Sequence, residues 1–314
     1  MKQPLKRRGF MKLGGGLLGM ALAGAPMTGI LAERKSLKKR IPPLSFSTLG
    51  CPDWGFPQIV SFAAANDYQG IEMRGILRQL DLPQCPEFSS PENISATLKL
   101  MKSKGLHFVD LGSSAQMHHA DPVERKKNLD DARRFIDLAE KLSCPFIRVF
   151  PNNLPKDQDR DTTIGLIVKG LRELGEYAAN TQVTVLMESH GELVYSADLK
   201  KIMDAAAHEH VGMVWDIFNM WSVTKEPPAE VYQNLKNYIR HTHIKDGRMI
   251  DGKEQYTRLG QGESPIFAAI DALWAGGYKG YFSFEWEKMW HPEIEAPETA
   301  LADYPIAMKK HFPG

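Results

Sequence analysis

Four consecutive apolar, β-branched runs in the second half of the chain each end in a side chain able to bind a metal ion. That recurrence constrains the fold more than any other feature of the sequence. Val183–Gly191 (VTVLMESHG) delivers Glu188 and His190, and Val211–Asn219 (VGMVWDIFN) delivers Asp216. Ile239–Asp246 (IRHTHIKD) delivers His241 and His243, and Tyr281–Glu287 (YFSFEWE) delivers Glu285 and Glu287. Strand alternation sets Leu186, Glu188 and His190 on one face. A carboxylate ending a buried strand must meet a counter-charge, because an unpaired ion in a low-dielectric site is costly. One such strand is satisfied by an arginine. Four in succession call for a shared partner, and a divalent metal ion is the expected one.

Four further runs precede these: Leu44–Gly50, Gly70–Arg74, Leu106–Leu111 and Phe146–Phe150. The stretches between the eight runs carry helix-start chemistry, a capping side chain before a proline, at Ser90-Pro91, at Asp121-Pro122 with Glu124, and at Ser264-Pro265. Spacings of about 25 to 40 residues per unit suit a strand, a helix and two loops. Eight such units predict an α/β fold, a single-domain (β/α)8 barrel, in which residues at the C-terminal strand ends converge on one mouth. An open doubly wound sheet is the competing arrangement, but no glycine-rich dinucleotide turn follows the first run.

The N-terminus reads differently. Of the 39 Lys and Arg, ten lie in the first 40 residues beside one acid, Glu33, leaving 29 basic against 37 acidic residues and a net charge near −8 for the rest. Lys6–Lys12 (KRRGFMK) precedes a glycine-rich, weakly apolar run to Ala25, with Ala21-Leu22-Ala23 as a small-residue cleavage motif. Residues 1–32 are therefore read as a twin-arginine export signal, and residues 33–314 as the barrel domain. The run is too short for a membrane span. The expected location is the periplasm and the expected partner the twin-arginine translocation machinery; fractionation of a chain with Arg7 and Arg8 changed to lysine tests this. Three cysteines without a CxxC pair predict buried, inert thiols. Gly260-Gln261-Gly262 is no phosphate loop.

The order Glu, Asp, His in HxHxKD form (His241–Asp246), then Glu in GYxGxxSxE form (Gly277–Glu285), resembles the xylose-isomerase-like barrel superfamily of sugar isomerases and epimerases. The resemblance covers about residues 44–310. It implies that Glu188, Asp216, His243 and Glu285 are the metal ligands, with Glu188 and Glu285 also the acid and base pair. Strand position independently favours His243 over His241, since His243 lies nearer the C-terminal end. Glu285 is preferred to Glu287 on its SxE context.

Other residues are expected to line the mouth and contact substrate: Glu72 and Arg74 on the second run, Arg148 on the fourth, then His190, Asn219, Lys245 and Trp54. For Glu72 and Arg148 the competing expectation is a structural ion pair inside the barrel, and for Trp54, Trp286 and Trp290 it is core or rim packing. His118 and His119 follow the third run. Asn219 departs from many epimerases of the superfamily, which carry a histidine there; asparagine hydrogen-bonds but transfers no proton at neutral pH.

The expected function is a metal-dependent isomerase or epimerase acting on a ketose, aldose or keto-sugar derivative, with manganese preferred and magnesium or cobalt in the same class. The same chemistry on a 3-keto-glycoside would expel the aglycone by β-elimination, making a lyase or deglycosidase. A nucleic-acid enzyme of this fold would want a basic groove, which the acidic body does not supply. A homo-oligomer is compatible with the sequence.

Overall fold

The computed structural model describes residues 41–312; residues 1–32, expected to form an export signal, lie outside the described residues. Strands β1 (Leu44–Ser47), β2 (Gly70–Met73), β3 (His107–Gln116), β4 (Phe146–Phe150), β5 (Thr184–Glu188), β6 (Val211–Asp216) and β7 (Ile239–Ile244) follow one another around a barrel. After an antiparallel hairpin, β8 (Asp246–Ile250) and β9 (Lys253–Thr257), the eighth barrel strand β10 (Phe282–Phe284) pairs with β7 and closes on β1. All barrel pairs are parallel, so this is a single (β/α)8 TIM barrel.

Helices α1 (Phe56–Ala65), α2 (Pro91–Ser103), α3 (Pro122–Leu142), α4 (Arg160–Ala178), α5 (Ser196–Ala205), α6 (Ile217–Thr224), α7 (Pro228–Leu235), α8 (Ile266–Ala275) and α9 (Pro297–His311) accompany the strands. Two expected caps form: Ser90 accepts from the Asn93 N–H, and Asp121 accepts from those of Val123 and Glu124. The third does not. α8 starts one residue late, with Pro265 at its N-cap, because the Ser264 hydroxyl donates instead to Asp246 at 2.6 Å.

Period-two alternation divides each strand between two environments. Outward residues meet the helices: Phe46 packs edge-on against Tyr68 at 4.8 Å, and Phe284 stacks on Tyr304 at 4.7 Å, which seats α9 over the β1–β10 seam. Inward residues are largely polar. Ser45, Ser47, Glu72, Asp110, Arg148, His241, His243 and Ser283 are all buried, where a barrel more often holds branched apolar chains. Among the described residues no helix is long and apolar enough to cross a membrane. The three cysteines are buried free thiols, and burial pushes Cys85 up to about 12.

The hairpin β8–β9 and the Gly260–Gly262 turn carry no motif, yet one side chain ties them together. Asp246 Oδ1 accepts from the Gly247 N–H (2.8 Å) and Ser264, while Oδ2 accepts from Gly260 (2.9 Å) and Gly262 (3.0 Å). A Cβ on Gly262 would stand 2.1 Å from Asp246 Oδ1. Gly262→Ala is therefore expected to lower stability by about 2–4 kcal/mol, through overpacking and loss of charge-assisted bonds. Urea unfolding reads this directly; an unchanged midpoint would mean that the turn moves aside at no cost.

Candidate active site

Parallel register sets the C-terminal ends of β5, β6, β7 and β10 around one mouth in a staggered row, Glu188 opposite Val214 on β6. Asp216 pairs with His243, His243 with Ser283, and the Glu285 N–H reaches the Ile244 carbonyl at 3.0 Å. Alternation then turns Glu188, Asp216, His243 and Glu285 inward together, and one donor atom from each lies within 4.8 Å of the others. His243 is the hub. Its Nδ1 faces Glu285 Oε2 at 3.3 Å, Glu188 Oε1 at 3.5 Å and Asp216 Oδ2 at 3.7 Å. Its Nε2 faces Glu72 Oε1 at 3.2 Å.

Glu72 sits below this cluster. Its Oε2 meets His241 Nε2 at 2.9 Å and accepts from the Ser283 hydroxyl at 2.9 Å. Burial pushes the Glu72 carboxyl up, but His243 and His241 outweigh it and hold it below the usual carboxylate range. Glu72 thus engages both histidines, while its Oε1 is buried with no hydrogen bond, and Glu72, His241 and His243 form a second buried group able to hold an ion. It does not pair with Arg148.

Arg148 pairs instead with Glu188, Nε to Oε2 at 2.9 Å, donates to the Ser113 carbonyl at 2.7 Å and lies over the Phe150 ring. Lys245 Nζ stands 2.8 Å from Asp216 Oδ2, 2.7 Å from Glu285 Oε2 and 2.6 Å from Glu287 Oε1. Burial opposes ionisation of Glu188, but Arg148 and then His243 prevail and lower its carboxyl. Glu285 is held well below its ordinary value against burial by His243 and Lys245. For Asp216 burial wins and the carboxyl is raised despite Lys245. Glu287 is raised to about 7, by burial in the first place.

Asp216 has a second duty. It ends β6 and caps α6, its Oδ1 accepting from the Asn219 N–H at 2.9 Å. This leaves Oδ2 for the cluster. Asp216 Oδ2 and both ring nitrogens of His243 are buried without a hydrogen bond. Three carboxylates and an imidazole with such orphaned atoms fit a hard or borderline divalent cation.

The remaining expected residues are more scattered. His190 is half-buried just past β5, with Nδ1 2.8 Å from Asn152 Oδ1 and its ring against Phe150; burial lowers its pKa. Asn152, with φ +54°, has no motif that would have singled it out. Asn219 is half-buried in the first turn of α6. Trp54 is buried against Phe62 of α1 at 4.8 Å, a core residue and no stacking platform for a sugar. Trp286 is also core, stacked on Phe284 with its Nε1 donating to the Glu295 carbonyl, whereas Trp290 is exposed. His118 is buried and packs on His119, which borders a cavity of about 790 Å3 between the β3 end and α3.

The comparisons agree with this architecture. Structures of the 3-keto-D-glucoside 4-epimerase YcjR from E. coli and of the probable 3-DHS dehydratase AsbF from Bacillus anthracis are each 17% identical to the chain. The first covers 86% of this chain and 99% of its own with TM-score 0.69, the second 85% and 98% with TM-score 0.70. A xylose isomerase-like TIM barrel protein from Mycobacterium smegmatis, solved with magnesium, is 17% identical over 88% of this chain and 98% of its own, with TM-score 0.67. At this identity the likeness establishes the fold. No curated protein matches the chain. The family model described as xylose isomerase-like TIM barrel matches residues 60–308, most of the chain, which therefore belongs to that family.

Proposed function

We propose that the protein is a divalent-metal-dependent sugar isomerase or epimerase that moves a proton between Glu188, Glu285 and the carbon beside a carbonyl of a ketose, aldose or keto-sugar derivative. The observation that carries this reading is the approach of both carboxylates to one imidazole nitrogen, at 3.5 and 3.3 Å, from strands well separated around the barrel. Glu188, Asp216, His243 and Glu285 would hold the ion, manganese before magnesium or cobalt. When bound, such an ion polarises the substrate carbonyl and acidifies the adjacent C–H bond.

The chain supplies the rest. Arg148 fixes Glu188 and keeps it ionised, so that it can accept a proton. Lys245 holds Glu285 in place and joins it to Asp216 and Glu287; in each turnover one glutamate enters ionised and takes the proton, while the other enters protonated and returns one to the carbon. Glu72 braces His243 from behind and sets which ring nitrogen faces the carboxylates. Burial of all these groups keeps water from competing for the proton. Support also comes from the E. coli neighbour, named as an epimerase of a keto-glucoside.

β-Elimination from a 3-keto-glycoside is the second reading. In its favour stands Glu287, raised to about 7 and 2.6 Å from Lys245, a carboxyl able to carry a proton to a departing group. Incubating manganese-loaded protein with keto-sugars and 3-keto-glycosides decides between the readings. A product of unchanged mass supports epimerisation, a released aglycone supports the lyase, and neither would overturn both.

Metal uptake is expected to depend on pH. Burial works to discharge His243, but Glu285, Glu72 and Glu188 raise its pKa well above the ordinary value, so in the absence of an ion it holds two protons. Binding must free Nδ1 and release a proton. Apparent affinity should rise about tenfold per pH unit while pH stays below that raised value, then level off. Metal titrations in buffers spanning neutral pH measure the slope; a flat profile would mean that His243 gives up no proton.

A further inference from the structure

We propose that Arg74 and Ser114 form a carboxylate-binding subsite at the barrel mouth, so that the substrate is an acidic sugar whose carboxylate is held beside the reacting carbon. The inference rests on the proposed function and narrows its substrate class. Arg74 follows β2 and is buried, 5% exposed. Its guanidinium makes one hydrogen bond, from Nη2 to Ser114 Oγ at 2.9 Å, while Nη1 is buried with no partner. Among the described residues it forms no ion pair.

The neighbouring cations are different. Arg148 has Glu188 at 2.9 Å, and Lys245 has three carboxylates within 2.8 Å. A buried guanidinium left uncompensated is costly, and its planar fork matches a carboxylate. Burial first, and then the charge of Arg148, push Arg74 down to about 9 against the opposing pull of Glu188, Glu285 and Glu72, none of which pairs with it directly.

The backbone makes room for this arrangement. A Cβ on Gly112 would lie 2.8 Å from Arg74 Cδ and 3.0 Å from Arg148 Nη2, so glycine lets both guanidiniums cross β3 side by side. Ser114 also borders the cavity of about 790 Å3, whose wall includes Gln116, His119 and Asn128. Asp81, Glu124, Asp130 and Asp131 lie further along the same wall with Lys127 and Arg134, and Arg134 pairs with Asp81 and Asp131. One free guanidinium edge suits a single negative charge.

Calorimetric binding of glucose, glucuronate and glucose 6-phosphate to the manganese-loaded protein tests the proposal without turnover. Glucuronate is expected to bind about 10- to 100-fold more tightly than glucose. Arg74→Met should erase that difference while leaving metal content unchanged. It should also keep or raise the unfolding temperature of the ligand-free protein, because a lone buried charge is removed. Equal binding of glucose and glucuronate, or a preference that survives Arg74→Met, would overturn the subsite. Preference for the phosphate would overturn its assignment to carboxylates, and a marked drop in unfolding temperature would make Arg74 structural. Glucuronate preference without conversion of any sugar would instead count against the isomerase reading alone.

Discussion

Asp216→Ala and His243→Ala are each expected to strip the divalent ion and cut turnover by about a thousandfold or more, metal content and activity falling together. Each removes one of the four donors that converge within 4.8 Å. For Asp216 two losses must be separated, because the same carboxylate caps α6 through the Asn219 N–H. Loss of the cap costs about 1 kcal/mol of stability. Asp216→Asn can keep the capping oxygen while discharging the cluster, and should lose the ion with a smaller stability change. His241→Ala gives the contrast. His241 belongs to the second buried group, with Glu72 and His243, and is absent from the four-residue cluster, so toward an ion held by that cluster it acts through the brace behind His243. An effect of about 10- to 100-fold on metal affinity is expected there. Metal analysis of the purified variants decides the matter: if His241→Ala empties the site while His243→Ala stays loaded, the assignment of β7 is inverted.

Glu188→Gln and Glu285→Gln should each reduce kcat by about 10²- to 10⁴-fold, the usual range for a positioned acid or base. In heavy water the native enzyme should place deuterium at the reacting carbon of product or recovered substrate. The variants separate the roles of the two glutamates. Glu188→Gln leaves Arg148 buried without the carboxylate it pairs with among the described residues, so a fall in stability should accompany the loss of rate. Glu285→Gln leaves Lys245 with Asp216 and Glu287, and its effect should be confined more closely to turnover and metal affinity. Conversion without solvent deuterium in early and late samples alike would exclude the two-carboxylate scheme and favour a hydride shift between adjacent carbons. A Gln variant that keeps metal and full turnover would free that residue from its role.

The barrel was readable from sequence because strand and helix signals alternate with a regular period, and because residues at strand ends converge whatever their separation along the chain. The juxtaposition of Glu188, Asp216, His243 and Glu285 was legible for that reason. What alternation cannot show is who pairs with whom across the lumen. Glu72 reaches His241 and Ser283 over 169 and 211 positions, and Arg148 chooses Glu188 over Glu72. Trp54 reads as a candidate sugar platform until the packing of α1 places Phe62 against it. Ser264-Pro265 has the chemistry of a helix start, but Asp246 competes for the serine hydroxyl and wins. The Gly260-Gln261-Gly262 turn carries no motif. Its meaning lies in how closely a carboxylate 14 to 16 positions earlier approaches its backbone.

The polar lumen draws on both halves of the chain. Glu72, Asp110 and Arg148 come from β2, β3 and β4 and Arg74 follows β2, whereas Glu188, Asp216 and His243 come from β5, β6 and β7 and Glu285 follows β10. Neither half holds the whole centre: Glu72 lies in one, and the two histidines it engages lie in the other. Glu72 meets His241, His243 and Ser283 only when β10 docks on β1, Leu44 beside Phe282. Catalytic competence is in this sense a property of ring closure, and substitutions along that seam, far from any reacting atom, are placed to act on chemistry as much as on stability.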